Sequence, residues 1–289
     1  MEYFEPKSIG DALSLLSKHG AEAKVIAGGT DVMVDIKFKE EPGCLVNIKK
    51  IPSLAGISES GGSLRIGALT TIREIETSAL VRDKSPVLWD ACRQFASLQV
   101  RNTATIGGNI CRASPSGETL TPLLVLEANA ILAFSDGERS EPFKTFFQGP
   151  GKSAAGVKGL LTEIEIPIPP AASKGVYLKH AVRGAMDIAM VGVAVMLTPD
   201  SGKNSVQEVR IGLGAVGPTP LRAPKTEALL KGKPLTAALV KEAGALAATE
   251  ASPITDQRSS AENRRWIVEA LTRRGLEQTW QAATGKEVA

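Results

Sequence analysis

The chain has 289 residues, 43% of them hydrophobic and 22% charged, which is enough apolar material for a sizeable core and too balanced for wholesale disorder. At roughly 150 residues per domain the length points to two domains, a single large α/β domain being the other solution. A formal charge of +3, from 34 basic and 31 acidic side chains, argues for neither a nucleic-acid footprint nor a polybasic membrane patch, and 4% aromatics disfavour base stacking.

The chain opens with an extended Tyr3-Phe4-Glu5-Pro6. Ser8 is placed as an N-cap, with Asp11 completing a variant capping box, and the apolar spacing from Ile9 to Leu16 predicts a helix that Gly20 stops. A short apolar strand over 23–27 then runs into Gly28-Gly29-Thr30-Asp31. Residues 32–36 suit helix or strand, and 44–48 a strand. A hairpin follows, with arms over 54–58 and 64–68 and a turn at Gly61-Gly62. Thr70 or Thr71 begins a helix, a longer one is predicted over 86–98, and the β-branched run 103–106 ends at Gly107-Gly108-Asn109. Segments 120–126, 130–134 and 158–166 continue the alternation of helix and strand.

Prolines 167, 169 and 170 interrupt both helix and sheet bonding and mark the boundary, giving a domain over 1–170 (subdomains about 1–55 and 56–170) and another over 174–283. The second domain reads as strands near 175–181, 188–197 and 206–216, then helices near 223–230, 236–248 and 261–283. Strands followed by helices predict an α+β domain closing over the first.

Cys44, Cys92 and Cys111 are scattered, and an iron–sulfur cluster takes roughly four thiolates, so core packing in a reducing compartment is the expectation. His19 and His180 are the only histidines, too few for a multi-histidine metal centre. The N-terminus lacks the pattern of a signal peptide, no apolar run reaches about 18 residues, and cytoplasmic residence follows as the default.

Two glycine motifs carry the chemistry. In Val25-Ile26-Ala27-Gly28-Gly29-Thr30-Asp31, a strand feeding a Gly-Gly turn can aim consecutive backbone amides at an anion, Thr30 adding a hydroxyl. Thr103-Ala104-Thr105-Ile106-Gly107-Gly108-Asn109 offers the same chemistry about 80 residues later. Neither is a dinucleotide fingerprint or a P-loop; together they suggest a long diphosphate clamped from two sides, coincidence being the other reading.

These motifs, with 99–109 as a whole and Ala113-Ser114-Pro115-Ser116, resemble the FAD domain of xanthine dehydrogenases and related molybdenum hydroxylases, and Lys179 to Arg183 with Asp187-Ile188-Ala189 resemble that family's second-domain pattern. The likeness runs from about Phe4 to the last helix, and Gly149-Pro150-Gly151-Lys152 and Gly217-Pro218-Thr219-Pro220 look closest to bacterial xanthine dehydrogenase FAD subunits. The resemblance implies an α+β protein: a vanillyl-alcohol-oxidase-type FAD-binding domain of two α/β subdomains, with a C-terminal domain of the CO dehydrogenase flavoprotein type. It implies FAD contacts from Val25, Ile26, Ala27, Gly28, Gly29, Thr30, Asp31 and Val32, and from Thr105, Ile106, Gly107, Gly108 and Asn109. Ala96 and Leu161 match positions packed near the flavin, and Lys179 a flavin-site lysine. The family often has Ser-Asp where this chain has Gly117-Glu118; Glu118 keeps the charge one methylene further out.

The implied role is electron relay. Electrons come from a molybdopterin-binding large subunit through a [2Fe–2S] small subunit to FAD here, then to NAD or another soluble acceptor, in a dimer of heterotrimers. Xanthine leads as substrate; CO, aldehyde and aromatic branches share the plan. A stand-alone flavin reductase lacks a persuasive substrate acid or base here, and a non-enzymatic nucleotide-binding subunit is the remaining alternative. Lys179 reads as a flavin-facing charge or a solvated strand lysine, and Arg183 with Asp187 as a loop fastener or an ordinary ion pair. Arg101 and Asn102 either position the second glycine turn or face a partner, and Arg258, Arg264, Arg265, Arg273 and Arg274 are taken as a solvated helix face or a docking surface.

Overall fold

The computed structural model describes residues 1–38 and 41–288, which divide into two compact units. One comprises Met1–Ser78, Ser97–Ser114 and Glu127–Pro167; the other comprises Ala79–Ala96, Pro115–Leu126 and the chain from Ile168 onward.

The first unit begins with strand Glu2–Phe4, helix Ile9–His19 and strand Ala23–Ile26, followed by helix Val32–Phe38 and strand Cys44–Asn47. Cys44–Asn47 lies between the other two strands and parallel to both, an arrangement that needs the intervening crossovers. Ser8 Oγ accepts the Asp11 amide at 3.1 Å, and the Gly20 amide closes the helix on Leu16. The return bond from Asp11 does not form among the described residues; aspartate is one methylene shorter than the glutamate of a full box. Ala12, Leu13 and Leu16 turn inward onto Cys44, Val46, Ile48 and Leu54. A second, antiparallel sheet orders Ile57–Ser60, Ser63–Gly67, Leu160–Pro167, Asn129–Phe134 and Gly137–Pro142. Its first hairpin turns at Gly61 and Gly62, with φ of 59° and 77°, the pair of positive values a tight twisted hairpin requires. Thr71 caps helix Ile72–Thr77 with a complete capping box through Glu74.

The second unit is built on an antiparallel sheet, Lys174–His180, Val191–Pro199, Val206–Gly214 and Leu221–Arg222. Every residue of Val191–Pro199 except Thr198 is buried, so the strand reads as a continuous apolar run rather than an alternation. The reason is cover on both faces. Helix Ala261–Thr284 packs on this strand, as do helices Pro86–Arg93 and Leu120–Val125 from earlier in the chain.

Several expectations change. The helix predicted over 86–98 stops at Arg93, and Ala96 takes a left-handed φ of 37° before Ser97 caps a new turn at Leu98–Arg101. The β-branched run at 103–106 is not a strand; Thr105 caps helix Ile106–Arg112. Cys44 and Cys92 are buried as expected, but Cys111 is exposed on that helix. Arg264 is not on a solvated face. It is 4% exposed and donates to the Met190 and Ala215 carbonyls and to Asp256. It stands one helical turn before buried Val268, and that i,i+4 spacing was the available signal. Among the described residues, no helix is long and apolar enough to cross a membrane.

Candidate functional site

In the first unit, strand Ala23–Ile26 delivers the chain to Gly28 at the edge of the parallel sheet. Gly28 is glycine because of a neighbouring backbone: a Cβ there would stand 2.1 Å from the Thr103 carbonyl oxygen and 3.0 Å from Ala104 Cα. The two motifs are therefore in van der Waals contact, the second supporting the first. Gly29, at φ 75°, turns the chain into the helix, where the Met33 amide bonds Gly29 O and the Asp35 amide bonds Asp31 O. The amides of Gly28, Gly29, Thr30, Asp31 and Val32 and the Thr30 hydroxyl have no intramolecular acceptor among the described residues. Backbone amides left this way at a glycine turn are the donors an anion takes up. A diphosphate fits this loop in hydrogen-bonding sense.

The second motif does not repeat that chemistry, which corrects the expectation of two equivalent nests. The Ile106 amide donates to Thr70 O at 3.0 Å, Gly107 to Ala68 O at 2.9 Å, and Asn109 to Thr105 O at 3.1 Å. The Gly108 amide is capped by Thr105 Oγ1 at 3.1 Å. Gly107 is buried, with its missing Cβ space occupied by Ala68 O at 2.6 Å, whereas Gly108 is exposed and its missing Cβ meets only Thr105 Oγ1. Thr105, 5% exposed, is thus an N-cap. Thr105→Ala is expected to cost about 1–2 kcal/mol by orphaning the Gly108 amide, read as a lowered urea midpoint with unchanged slope.

Arg101, left open above, is internal to this unit: its Nε donates to Glu76 Oε2 at 2.9 Å, an oxygen shared with Arg73 at 3.0 Å. Arg112 went unnoticed in the sequence. Its two Nη atoms donate to Asp35 at 2.6 and 3.3 Å, and its Nε lies 3.4 Å from Asp31 Oδ1. No motif marks it, since its partners lie 77 and 81 positions away and only the fold unites them. Leu161 is 3% exposed in strand Leu160–Pro167, opposite Leu132.

In the second unit, Lys179 is not a solvated lysine. Its side chain is 8% exposed, and Nζ donates to Glu118 Oε1 at 2.7 Å, Asp187 O at 2.7 Å and Gln94 O at 3.2 Å. Three donors meet three acceptors, which exhausts an ammonium group. Burial pushes the Glu118 carboxyl up from its ordinary value, with Lys179 acting in the opposite direction. Burial likewise raises the Tyr177 phenol well above its ordinary value, Glu118 adding to the effect. Beyond Lys179, Asp187 fastens its loop by accepting the Arg183 and Ile188 amides, each at 2.9 Å; the Arg183 amide is the main cause holding its carboxyl low. Arg183 Nη2 donates to Met186 O, whereas the Arg183–Asp187 ion pair is a loose 3.8 Å, so the fastening is chiefly backbone.

Residues 1–169 match the family model described as the FAD binding domain in molybdopterin dehydrogenase, and 176–279 match the CO dehydrogenase flavoprotein C-terminal domain. The chain is an FAD-binding flavoprotein of mixed helix and strand. It is 31% identical over 287 residues to the xanthine dehydrogenase FAD-binding subunit of Escherichia coli O157:H7, covering 98% of this chain and 97% of that one. It is 32% identical to the carbon monoxide dehydrogenase medium chain of Hydrogenophaga pseudoflava, covering 96% of each. A solved structure of carbon monoxide dehydrogenase from Hydrogenophaga pseudoflava matches with a TM-score of 0.94 at 33% identity over 98% of each chain. Quinoline 2-oxidoreductase from Pseudomonas putida 86 matches at 0.92 and 29% identity over 98% of each chain. The chain belongs to the FAD-binding subunits of the molybdopterin-dependent dehydrogenases, a family of oxidoreductases.

Proposed function

We propose that this chain is the electron-transfer subunit of a cytoplasmic molybdenum hydroxylase, working with a molybdopterin-binding large subunit and a [2Fe–2S] small subunit in a dimer of heterotrimers. Relatives named as a medium chain or as an FAD-binding subunit support that placing. FAD held here would supply electron exchange, singly or in pairs, between the partner's clusters and NAD or another soluble acceptor.

The observation that carries the reading is the loop 28–32, whose amides have no acceptor of their own among the described residues. Gly28 to Val32 would hold the diphosphate through backbone donors, with Thr30 Oγ1 as a further one, and Val25 to Ala27 deliver the chain to that loop. Gly108 contributes an exposed surface with no side chain; Thr105, Ile106 and Gly107 contribute by fixing the helix behind it. For Asn109, Leu161, Ala96, Glu118 and Lys179 the assignment to FAD rests on the resemblance alone. Because its three protons are committed within the protein, Lys179 acts as a fixed positive charge and not as a free hydrogen-bond donor.

Xanthine leads as substrate on the runs 149–152 and 217–220; carbon monoxide is the second reading, since the relatives named for the two differ by one percentage point of identity. Purification of the full chain tests the flavin role. Yellow protein with flavin absorbance is expected, and colourless protein that no added FAD reconstitutes would overturn it. Mass spectrometry of the co-purifying large subunit then separates the substrates.

A further inference from the structure

The loop 28–32 contains a feature that opposes its own chemistry. Asp31 carries a carboxylate, 53% exposed, on the loop whose amides would receive a dianion. Like charges at a few ångströms repel, and nothing in the loop itself offsets Asp31.

The offsetting charge comes from the end of helix Ile106–Arg112. Arg112 holds Asp35 with both Nη atoms, at 2.6 and 3.3 Å. A guanidinium fixed through two nitrogens has its plane determined, and its third nitrogen has a set direction. In this protein that nitrogen, Nε, lies 3.4 Å from Asp31 Oδ1. The Arg112 and Asp35 side chains are 33% and 20% exposed, so the pair is partly withdrawn from solvent, where screening is weaker. Asp35 is also tied to the loop through its own amide, bonded to Asp31 O at 2.9 Å. Asp35 thus orients Arg112, and Arg112 covers Asp31.

We infer that Arg112 is a positioning residue for the flavin dinucleotide: anchored on Asp35, it neutralises Asp31 so that the amides of loop 28–32 can accept a diphosphate. This rests on the reading of that loop as the diphosphate site. A simple brace between two helices is the competing role, and the two differ in what restores binding. If Arg112 acts by cancelling Asp31, removing the Asp31 charge makes Arg112 dispensable. If it only braces through Asp35, removing Asp31 changes nothing.

The test uses the full chain, stripped of flavin and checked for fold by circular dichroism, titrated with FAD and separately with riboflavin, which lacks the diphosphate. Arg112→Gln is expected to weaken FAD by about tenfold to a hundredfold, the range of a lost charge-assisted contact, and to leave riboflavin unchanged. Adding Asp31→Asn to that variant should return FAD affinity to within about threefold of the parent, while adding Asp35→Asn should not. Failure of Asp31→Asn to rescue, or unchanged FAD binding by Arg112→Gln, overturns the inference. Asp31→Lys distinguishes that failure from a failure of the loop reading. If it alters FAD affinity and Arg112→Gln does not, the loop stands and Arg112 falls. If neither variant alters FAD relative to riboflavin, the loop is not the diphosphate site and both readings fall.

Discussion

Replacing Gly28 by alanine is expected to destabilise the chain by about 3 kcal/mol or more, a loss of roughly 10 °C in melting temperature, and to empty it of flavin. The magnitude follows from what the new Cβ meets. At 2.1 Å from the Thr103 carbonyl oxygen, with Thr103 C at 2.8 Å, it collides with backbone that no rotamer change can move. The loop has to lift, and the amides of 28–32 lose their arrangement with it. Gly108→Ala makes the contrast. Its Cβ meets a single side-chain atom, Thr105 Oγ1, at 3.0 Å, and alanine gains about 1 kcal/mol of helix propensity over glycine. That variant is expected to melt within a few degrees of the parent. Scanning calorimetry with the 450 nm to 280 nm absorbance ratio reads both quantities. Equal losses in the two variants would show that the contact between the motifs does not govern the site.

The contrast also shows where sequence reasoning reached and where it stopped. Both glycine pairs were visible as punctuation, and the strand before the first was correctly read from its apolar run. The second pair looked equivalent because Thr103, Thr105 and Ile106 have strand propensity. A threonine three residues before the amide it caps is equally an N-cap, and the acceptors that decide the matter, Thr70 O and Ala68 O, lie about 40 residues earlier in the chain. The same limit hid Arg112, whose carboxylate partners no local spacing could name. In the second unit the strands at 174–180, 191–199 and 206–214 and the three closing helices were legible, because long apolar runs and periodic stripes are local signals. Helix Pro86–Arg93 is shorter than predicted: its apolar stripe runs on to Phe95, and nothing in the local pattern signals the left-handed φ at Ala96. Lys179 was singled out, yet its burial was not foreseen: Glu118, the Asp187 carbonyl and the Gln94 carbonyl come from three separate segments.

That convergence makes Lys179→Met the other substitution of large effect. Methionine reproduces the length of the lysine stem, so packing is largely kept and the experiment isolates the charge. Glu118 is left buried without its counter-charge, and two carbonyls lose a donor. Removing one partner of a buried pair costs about 3–5 kcal/mol, against at most about 1 kcal/mol for an exposed pair. The pH dependence carries a definite sign. Burial already raises the Glu118 carboxyl above its ordinary value of 4.5, and in the variant the opposing effect of Lys179 is gone, so the rise is larger. A carboxyl with a raised folded-state pKa holds a proton that the unfolded chain releases. The variant is therefore most stable below the unfolded value and loses stability as pH climbs through the raised one. Its deficit against the parent should be smallest in acid and widen toward neutrality, as read from urea midpoints between about pH 4.5 and 7.5. Combining Lys179→Met with Glu118→Gln removes the stranded charge and should recover most of the loss, since a buried pair replaced as a whole is close to neutral. A deficit that stayed constant with pH, or a double variant as unstable as Lys179→Met alone, would mean that the ammonium serves the Asp187 and Gln94 carbonyls and that its pairing with Glu118 is incidental.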